Sequence, residues 1–183
     1  MGSVEEESIL GSERVRAGDT LVGLASTGLH TNGYSLARRI VGERLRLRPA
    51  DAFPDEEGSV ADVLLRVHRS YLSALRPVLD HVHAMAHITG GGLPGNLNRA
   101  LPPDLDALVD RSSWSVPNVF RVLESAGQVP RDEMFRAFNM GVGMVAICAG
   151  EDVRAVIESA RAASTPAWVM GEVRPGSGEV VLK

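Results

Sequence analysis

The chain has 183 residues, 44% of them hydrophobic, 23% charged and 4% aromatic, with a formal net charge of −4 at pH 7. That is the balance of one globular domain with a sizeable core, and an acidic chain poor in aromatics excludes a basic nucleic-acid footprint and a base-stacking platform. The lone cysteine, Cys148, excludes an internal disulfide; no apolar run approaches the ~20 residues of a membrane span, and the acidic start up to Glu7 lacks the order of a signal peptide. A cytoplasmic protein is expected, with neither nucleic acid nor membrane among its partners.

Residues 1–18 are polar apart from Ile9-Leu10 and Val15 and read as an arm, with the domain running from 19 to 183. Gly18-Asp19 turns into a short buried strand over Thr20 to Ala25. Tyr34, Ala37, Ile40 and Val41 then recur at helical spacing. Residues 44–58, with Pro49, Pro54, Gly58 and the run Asp55-Glu56-Glu57, read as a long solvated surface loop. Val60 to Val67 predicts a short helix. Tyr71 to Val82 predicts another, in which Pro77 either makes a kink or marks a first turn.

His83 to Ile88 predicts a strand that delivers Gly90-Gly91-Gly92, followed by a helix over Pro94 to Leu101 and a strand over Leu105 to Asp110. Val116, Val119, Phe120 and Leu123 mark a helix with Gly127 as its stop, and Asp132 is placed to cap the next. Val142 to Ala149 is an apolar strand holding Cys148, which reads as a buried, inert thiol. Val153, Val156, Ile157 and Ala160 repeat the helical spacing. Ala167 to Val173 and Glu179 to Leu182 read as a closing hairpin. Interleaved strands and helices that end in an antiparallel pair predict an α+β domain on a mixed β-sheet.

Two glycine-rich loops carry most of the functional information. Ser26-Thr27-Gly28-Leu29-His30-Thr31-Asn32-Gly33 and Thr89-Gly90-Gly91-Gly92 each follow a strand and run into a helix. Glycine permits close approach, and a helix start offers free N–H groups to an anion. Together they suggest a site for a phosphorylated small molecule. His30 either binds an anion or exchanges a proton near pH 7, or else hydrogen-bonds its own loop. Asn32 caps the following helix, orients a ligand, or does both. The Gly90–Gly92 triplet is a tight turn or an anion cradle, with Asn96 projecting near the same mouth. In Asn139-Met140-Gly141-Val142-Gly143-Met144 the small residues mark a bulge, or a closely approaching ligand or chain.

No metal site is expected. His83 and His87 on one strand face stand about 13 Å apart at ~3.3 Å per residue, and no cysteine accompanies them or His81. The only lysine is Lys183, so no lysine clamp for a triphosphate is available in the loops.

The ordered set Gly18-Asp19, Thr27 to Leu36, His83 to Gly92, Phe138 to Met144 and Gly171-Glu172-Val173 resembles the carboxy-terminal half of the AIR synthetase (phosphoribosylformylglycinamidine cyclo-ligase) family. The resemblance extends to Ser112-Ser113-Trp114 and Asp132-Glu133-Met134-Phe135. It implies a three-layer α/β/α domain and an ATP-dependent ring closure, formylglycinamidine ribonucleotide to aminoimidazole ribonucleotide, in purine biosynthesis. It implies that ATP and Mg²⁺ are bound largely by an amino-terminal domain, that the full-length enzyme is a homodimer, and that this chain alone is inactive. Carried over, His30 is catalytic and Asn32 lines the substrate side. Thr89, Gly90, Gly91 and Gly92 face a phosphate, and Asn139, Gly141 and Gly143 lie near the interdomain mouth. One departure stands out: where the family usually reads Thr-Pro-Thr-Arg-apolar-Tyr, this chain has Val67-His68-Arg69-Ser70-Tyr71. The alternatives are a non-catalytic phosphosugar-binding module, an inert partner of a separate ATP-binding subunit, or the same domain of another member of that ATP-dependent superfamily.

Overall fold

A computed structural model describes residue 5 and residues 9–183. Six strands form one sheet: β1 (Thr20–Ala25), β2 (Ala84–His87), β3 (Leu105–Val109), β4 (Val142–Cys148), β5 (Ala167–Pro175) and β6 (Val180–Leu182). Their spatial order is β2-β4-β1-β5-β3-β6, antiparallel throughout except that β6 runs parallel to β3. The helices are α1 (Tyr34–Arg39), α2 (Val60–Leu64), α3 (Leu72–Leu75), α4 (Gly92–Leu97), α5 (Asn118–Gly127), α6 (Arg131–Ala137) and α7 (Val153–Ala162).

The central strands bury both faces, which is why their sequences read as continuous apolar runs. On one face Leu21, Val145 and Ile147 pack with Ala37, Val63, Leu97, Phe120 and Phe135, a layer drawn from α1, α2, α4, α5 and α6. On the other, Val22, Leu24, Ala146 and Cys148 pack under Leu75, Val156 and Ala160 from α3 and α7. The result is three unequal α/β/α layers on a mixed sheet, as expected. Phe120, Phe135 and Phe138 are almost fully enclosed, and each contributes roughly 1.5–3 kcal/mol of apolar burial. Burial pushes the Cys148 thiol up to about 12, which fits an inert thiol.

Several local expectations are corrected. Ala167 to Val173 and Glu179 to Leu182 do not form a hairpin, because β3 lies between β5 and β6. The Asp106 carboxylate accepts the N–H groups of Ser177 (2.7 Å) and Glu179 (2.8 Å). It thereby draws the connecting loop across β3 and sets β6 on its far side. Gly127 is not the left-handed stop of α5; Gln128 takes that conformation at φ 50°, while Gly127 leaves room for Ile40. Pro130, not Asp132, precedes α6, and Asp132 pairs instead with Arg111 at 3.4 Å. Pro77 does both things foreseen for it: α3 stops at Leu75, and a 3₁₀ turn over Arg76–His81 starts around the proline. Within the acidic loop run, Glu56 is not simply solvated but holds Arg66 at 2.5 Å.

Of the segment read as an arm, residues 1–4 and 6–8 lie outside the described residues. Part of the rest touches the fold: Val15 is buried, and the Gly11 N–H donates to the His83 carbonyl at 3.1 Å. Among the described residues no helix is long and apolar enough to cross a membrane.

Candidate functional site

The loop from β1 to α1 is held in shape by one buried amide. Asn139 accepts from the Ser26 hydroxyl (2.9 Å) and the Gly141 N–H (2.8 Å), and donates to the Gly28 carbonyl (2.8 Å). Its hydrogen-bonding capacity is largely used within the protein, so Asn139 positions the loop rather than facing a ligand. Gly141 lets Pro117 approach, and Gly143 leaves the space that Tyr71 Oη and the His30 ring occupy.

The second loop has a matching clamp. Asn96 Oδ1 accepts from the Thr89 hydroxyl (2.9 Å), and its Nδ2 donates to the carbonyls of Gly90 (3.2 Å) and Gly92 (2.7 Å). Asn96 is therefore turned under the triplet instead of projecting into the mouth. The Gly92 N–H closes the turn on the Thr89 carbonyl at 3.0 Å. Among the described residues no protein acceptor takes the N–H groups of Gly90 and Gly91.

The two loops meet. A Cβ on Gly90 would lie 3.4 Å from Asn32 Oδ1, and Gly33 and Gly92 both close on Phe138, the first on its ring and the second on its carbonyl. Asn32 does not cap α1, since Gly33 holds the cap position with no side-chain bond. Its amide stands half-exposed between the loops, with only a long 3.4 Å contact to the Thr31 hydroxyl. His30, Asn32, Thr89 to Gly92, Asn139, Gly141 and Gly143 thus belong to one locality.

His30 is 4% exposed and sits in the left-handed region at φ 59°. Its Nε2 accepts the Thr27 N–H at 3.1 Å, which places the imidazole proton on Nδ1, a buried atom with no protein partner. Burial above all, with His68, His87 and Arg69 adding to it, lowers its pKa to about 4. The ring is neutral at pH 7. It offers a hydrogen-bond donor there, not the proton exchange near neutrality that an ordinary histidine would give. Because the folded pKa lies below 6.5, the unfolded chain takes up more protons between pH 6.5 and 4, so stability falls as pH falls through that window. We expect the wild-type stability-versus-pH curve to be steeper there than that of His30→Asn, measured by urea unfolding; parallel curves would refute the assignment.

Sequence reading missed the segment between α2 and α3. It is tied to the first loop through the Thr27 hydroxyl, which donates to the Val67 carbonyl at 2.6 Å. His68 stacks on His30 at 3.9 Å, Tyr71 donates to the Ala25 carbonyl at 2.9 Å, and Arg69 reaches the Ser164 carbonyl at 2.9 Å. A groove of about 450 Å³ opens beside them, lined also by Met85, His87 and Met144. The only signal in the sequence was the departure from the family motif at this segment. The trio His81, His83 and His87 does not converge: His81 pairs with Asp152 (2.6 Å) and His83 with Asp19 (2.7 Å). His87 instead faces His68 at 3.3 Å.

Imidazoles, amides and backbone N–H groups suit a phosphorylated polar ligand. They do not fit Mg²⁺, which takes oxygen ligands and usually a carboxylate; none of the side chains named at this mouth is an acid.

The structure is a layered α+β domain in which two glycine loops meet. Residues 16–183 match the family described as AIR synthase related protein, C-terminal domain, and the chain belongs to that family. It is 43% identical over 181 residues to a phosphoribosylformylglycinamidine cyclo-ligase of Coxiella burnetii, covering 98% of this chain and 51% of that protein. The like-named protein of Sorangium cellulosum is 44% identical over 177 residues, covering 94% and 51%. The chain thus spans about half the length of the curated relatives it matches. Among solved structures it resembles thiamine-monophosphate kinase from Stenotrophomonas maltophilia (TM-score 0.65, 20% identity, 98% of this chain and 54% of that one). Escherichia coli HypE is also similar (TM-score 0.63, 17% identity, 94% and 48%). At those identities the likeness concerns the fold.

Proposed function

We propose that this chain is the substrate-side half of a phosphoribosylformylglycinamidine cyclo-ligase, closing the imidazole ring of a purine precursor in the cytoplasm. The observation that carries the reading is 43% identity across 98% of the chain to a relative of that name, and the meeting of the two loops supports it. In the proposed reaction the γ-phosphoryl of ATP passes to the formyl oxygen of formylglycinamidine ribonucleotide. The amidine nitrogen then attacks that carbon, the oxygen leaves as phosphate, and a proton is lost as the ring closes.

In this reading the N–H groups of Gly90 and Gly91 hold the ribonucleotide's phosphate, with the Thr89 side chain fixing the turn. Asn32 orients the substrate from the opposite loop. His30, neutral and fixed by Thr27, donates from Nδ1 to a substrate oxygen and so polarises it without adding a charge. Asn139, Gly141 and Gly143 keep His30 and its loop in place. ATP and Mg²⁺ fall to an amino-terminal domain, which also carries the homodimer contact. The mouth described here lacks the lysine and carboxylates that phosphoryl transfer relies on.

The same absence favours a second reading, a phosphosugar-binding module without turnover. One experiment separates the two. The chain is given ATP, Mg²⁺ and formylglycinamidine ribonucleotide, with and without a separately produced amino-terminal half of the Coxiella relative. The expected result is no ADP from the chain alone and aminoimidazole ribonucleotide only from the mixture. Steady ADP formation by the chain alone refutes the division of labour. Tight ribonucleotide binding by calorimetry with no product from a stable mixture favours the binding module.

A further inference from the structure

Three imidazoles from separate parts of the chain gather at the rim of the groove. His30 comes from the loop after β1, His68 from the segment between α2 and α3, and His87 from the end of β2. One ring nitrogen of each lies within 4.8 Å of the others. Nε2 of His68 and Nε2 of His87 stand 3.3 Å apart with their rings tilted by 52°. Two ligand nitrogens ~2.0–2.1 Å from a tetrahedral zinc ion are separated by about 3.3–3.4 Å. The pair therefore already spans one edge of such a site. The third imidazole is held against the pair: His30 is 4% exposed, and its ring centroid lies 3.9 Å from that of His68.

We infer that His30, His68 and His87 form a binding site for a borderline divalent transition ion of the zinc, nickel or copper class, with water completing the coordination. Imidazole donors select such ions, and the trio contains no oxygen ligand for Mg²⁺ or Ca²⁺. His68 and His87 supply the first edge. The His30 and His68 rings are stacked 17° from parallel, so their in-plane lone pairs do not converge until one ring turns. His68, half-exposed, is the ring that turns, and the exposed His87 turns with it so that their Nε2 atoms stay one ligand edge apart. His30 then offers Nε2 in exchange for the Thr27 N–H. All three rings carry their proton on Nδ1, and no proton is released from His30. The ion takes Nε2 and the substrate contact proposed above takes Nδ1–H, so the two use opposite nitrogens of one ring. The inference itself needs only the three histidines and stands whether or not the cyclo-ligase reading does.

The test is Zn²⁺ titration of the untagged 183-residue chain against a chromophoric chelator, with Co²⁺ absorption and the Thr27 amide resonance as further readouts. Expected are one ion per chain, unaffected by excess Mg²⁺, and a shift of the Thr27 amide on binding. His68→Ala and His87→Ala each weaken binding at least tenfold with unchanged melting curves, since both positions have solvent access. His81→Ala, whose imidazole pairs elsewhere with Asp152, leaves the affinity unchanged. Equal Zn²⁺ affinity in the wild type and the His68→Ala/His87→Ala double variant, or no saturable uptake, overturns the inference.

Discussion

Asn139→Ala is expected to be the most damaging single truncation at the site, lowering stability by about 3–5 kcal/mol. The side chain is 3% exposed and serves three groups: the Ser26 hydroxyl, the Gly141 N–H and the Gly28 carbonyl. Removing it leaves these without their partner, at ~1–3 kcal/mol for each that stays buried and unpaired, and opens a void under the loop. Asn139→Asp gives a sharper test because it keeps the volume and both acceptor contacts. It sets a second carboxylate oxygen against the Gly28 carbonyl, where a donor stood at 2.8 Å. We expect Asp to recover little of the loss at pH 7 and more below pH 5, where a protonated carboxyl can donate again. Chemical denaturation at the two pH values decides the matter. If Asp matches Asn at pH 7, the amide clamp does not set the loop.

The second large effect separates two glycines of one triplet. A Cβ on Gly92 would lie 1.7 Å from the Phe135 carbonyl oxygen, and the backbone there sits at φ +61°. Neither the carbonyl nor the turn can yield without moving α6, so Gly92→Ala is expected to cost about 3–5 kcal/mol. At ~2–4 °C per kcal/mol for a chain of this size, the melting temperature falls by roughly 10 °C. Gly90 is different: its Cβ position meets only Asn32 Oδ1, at 3.4 Å. Gly90→Ala is expected to leave stability within ~0.5 kcal/mol while weakening ribonucleotide binding measurably by calorimetry. Equal melting temperatures for the two variants would show that the triplet is an exposed loop and not a wedge between layers.

The strands were legible because β1 and β4 are buried on both faces and carry unbroken apolar runs, and α5 because its apolar stripe recurs at helical spacing. Strand partnership was not. The spacing of β5 and β6 satisfies a hairpin equally well, and only Asp106, some 70 positions away in the chain, carries the loop over β3. Helix starts misled for a related reason: Asp132 and Asn32 have capping side chains, but Pro130 and Gly33 occupy the positions that need them. At the site, the glycine loops and His30 stood out through their unusual composition. His68 and Arg69 did not, since a histidine next to an arginine in a short connection looks like ordinary surface.

The amino-acid sequence by itself determined the layered α+β class, the two glycine turns and the family. These depend on local periodicity, on conformations open chiefly to glycine, and on ordered motifs, all of which are written along the chain. The tertiary structure alone decided the sheet order and that Asn139 and Asn96 serve as clamps. It also decided that His30 is neutral and that His68 and His87 stand beside it. Such properties arise from desolvation and from contacts between segments tens of residues apart, where the free energy depends on distance in space and not on position in sequence.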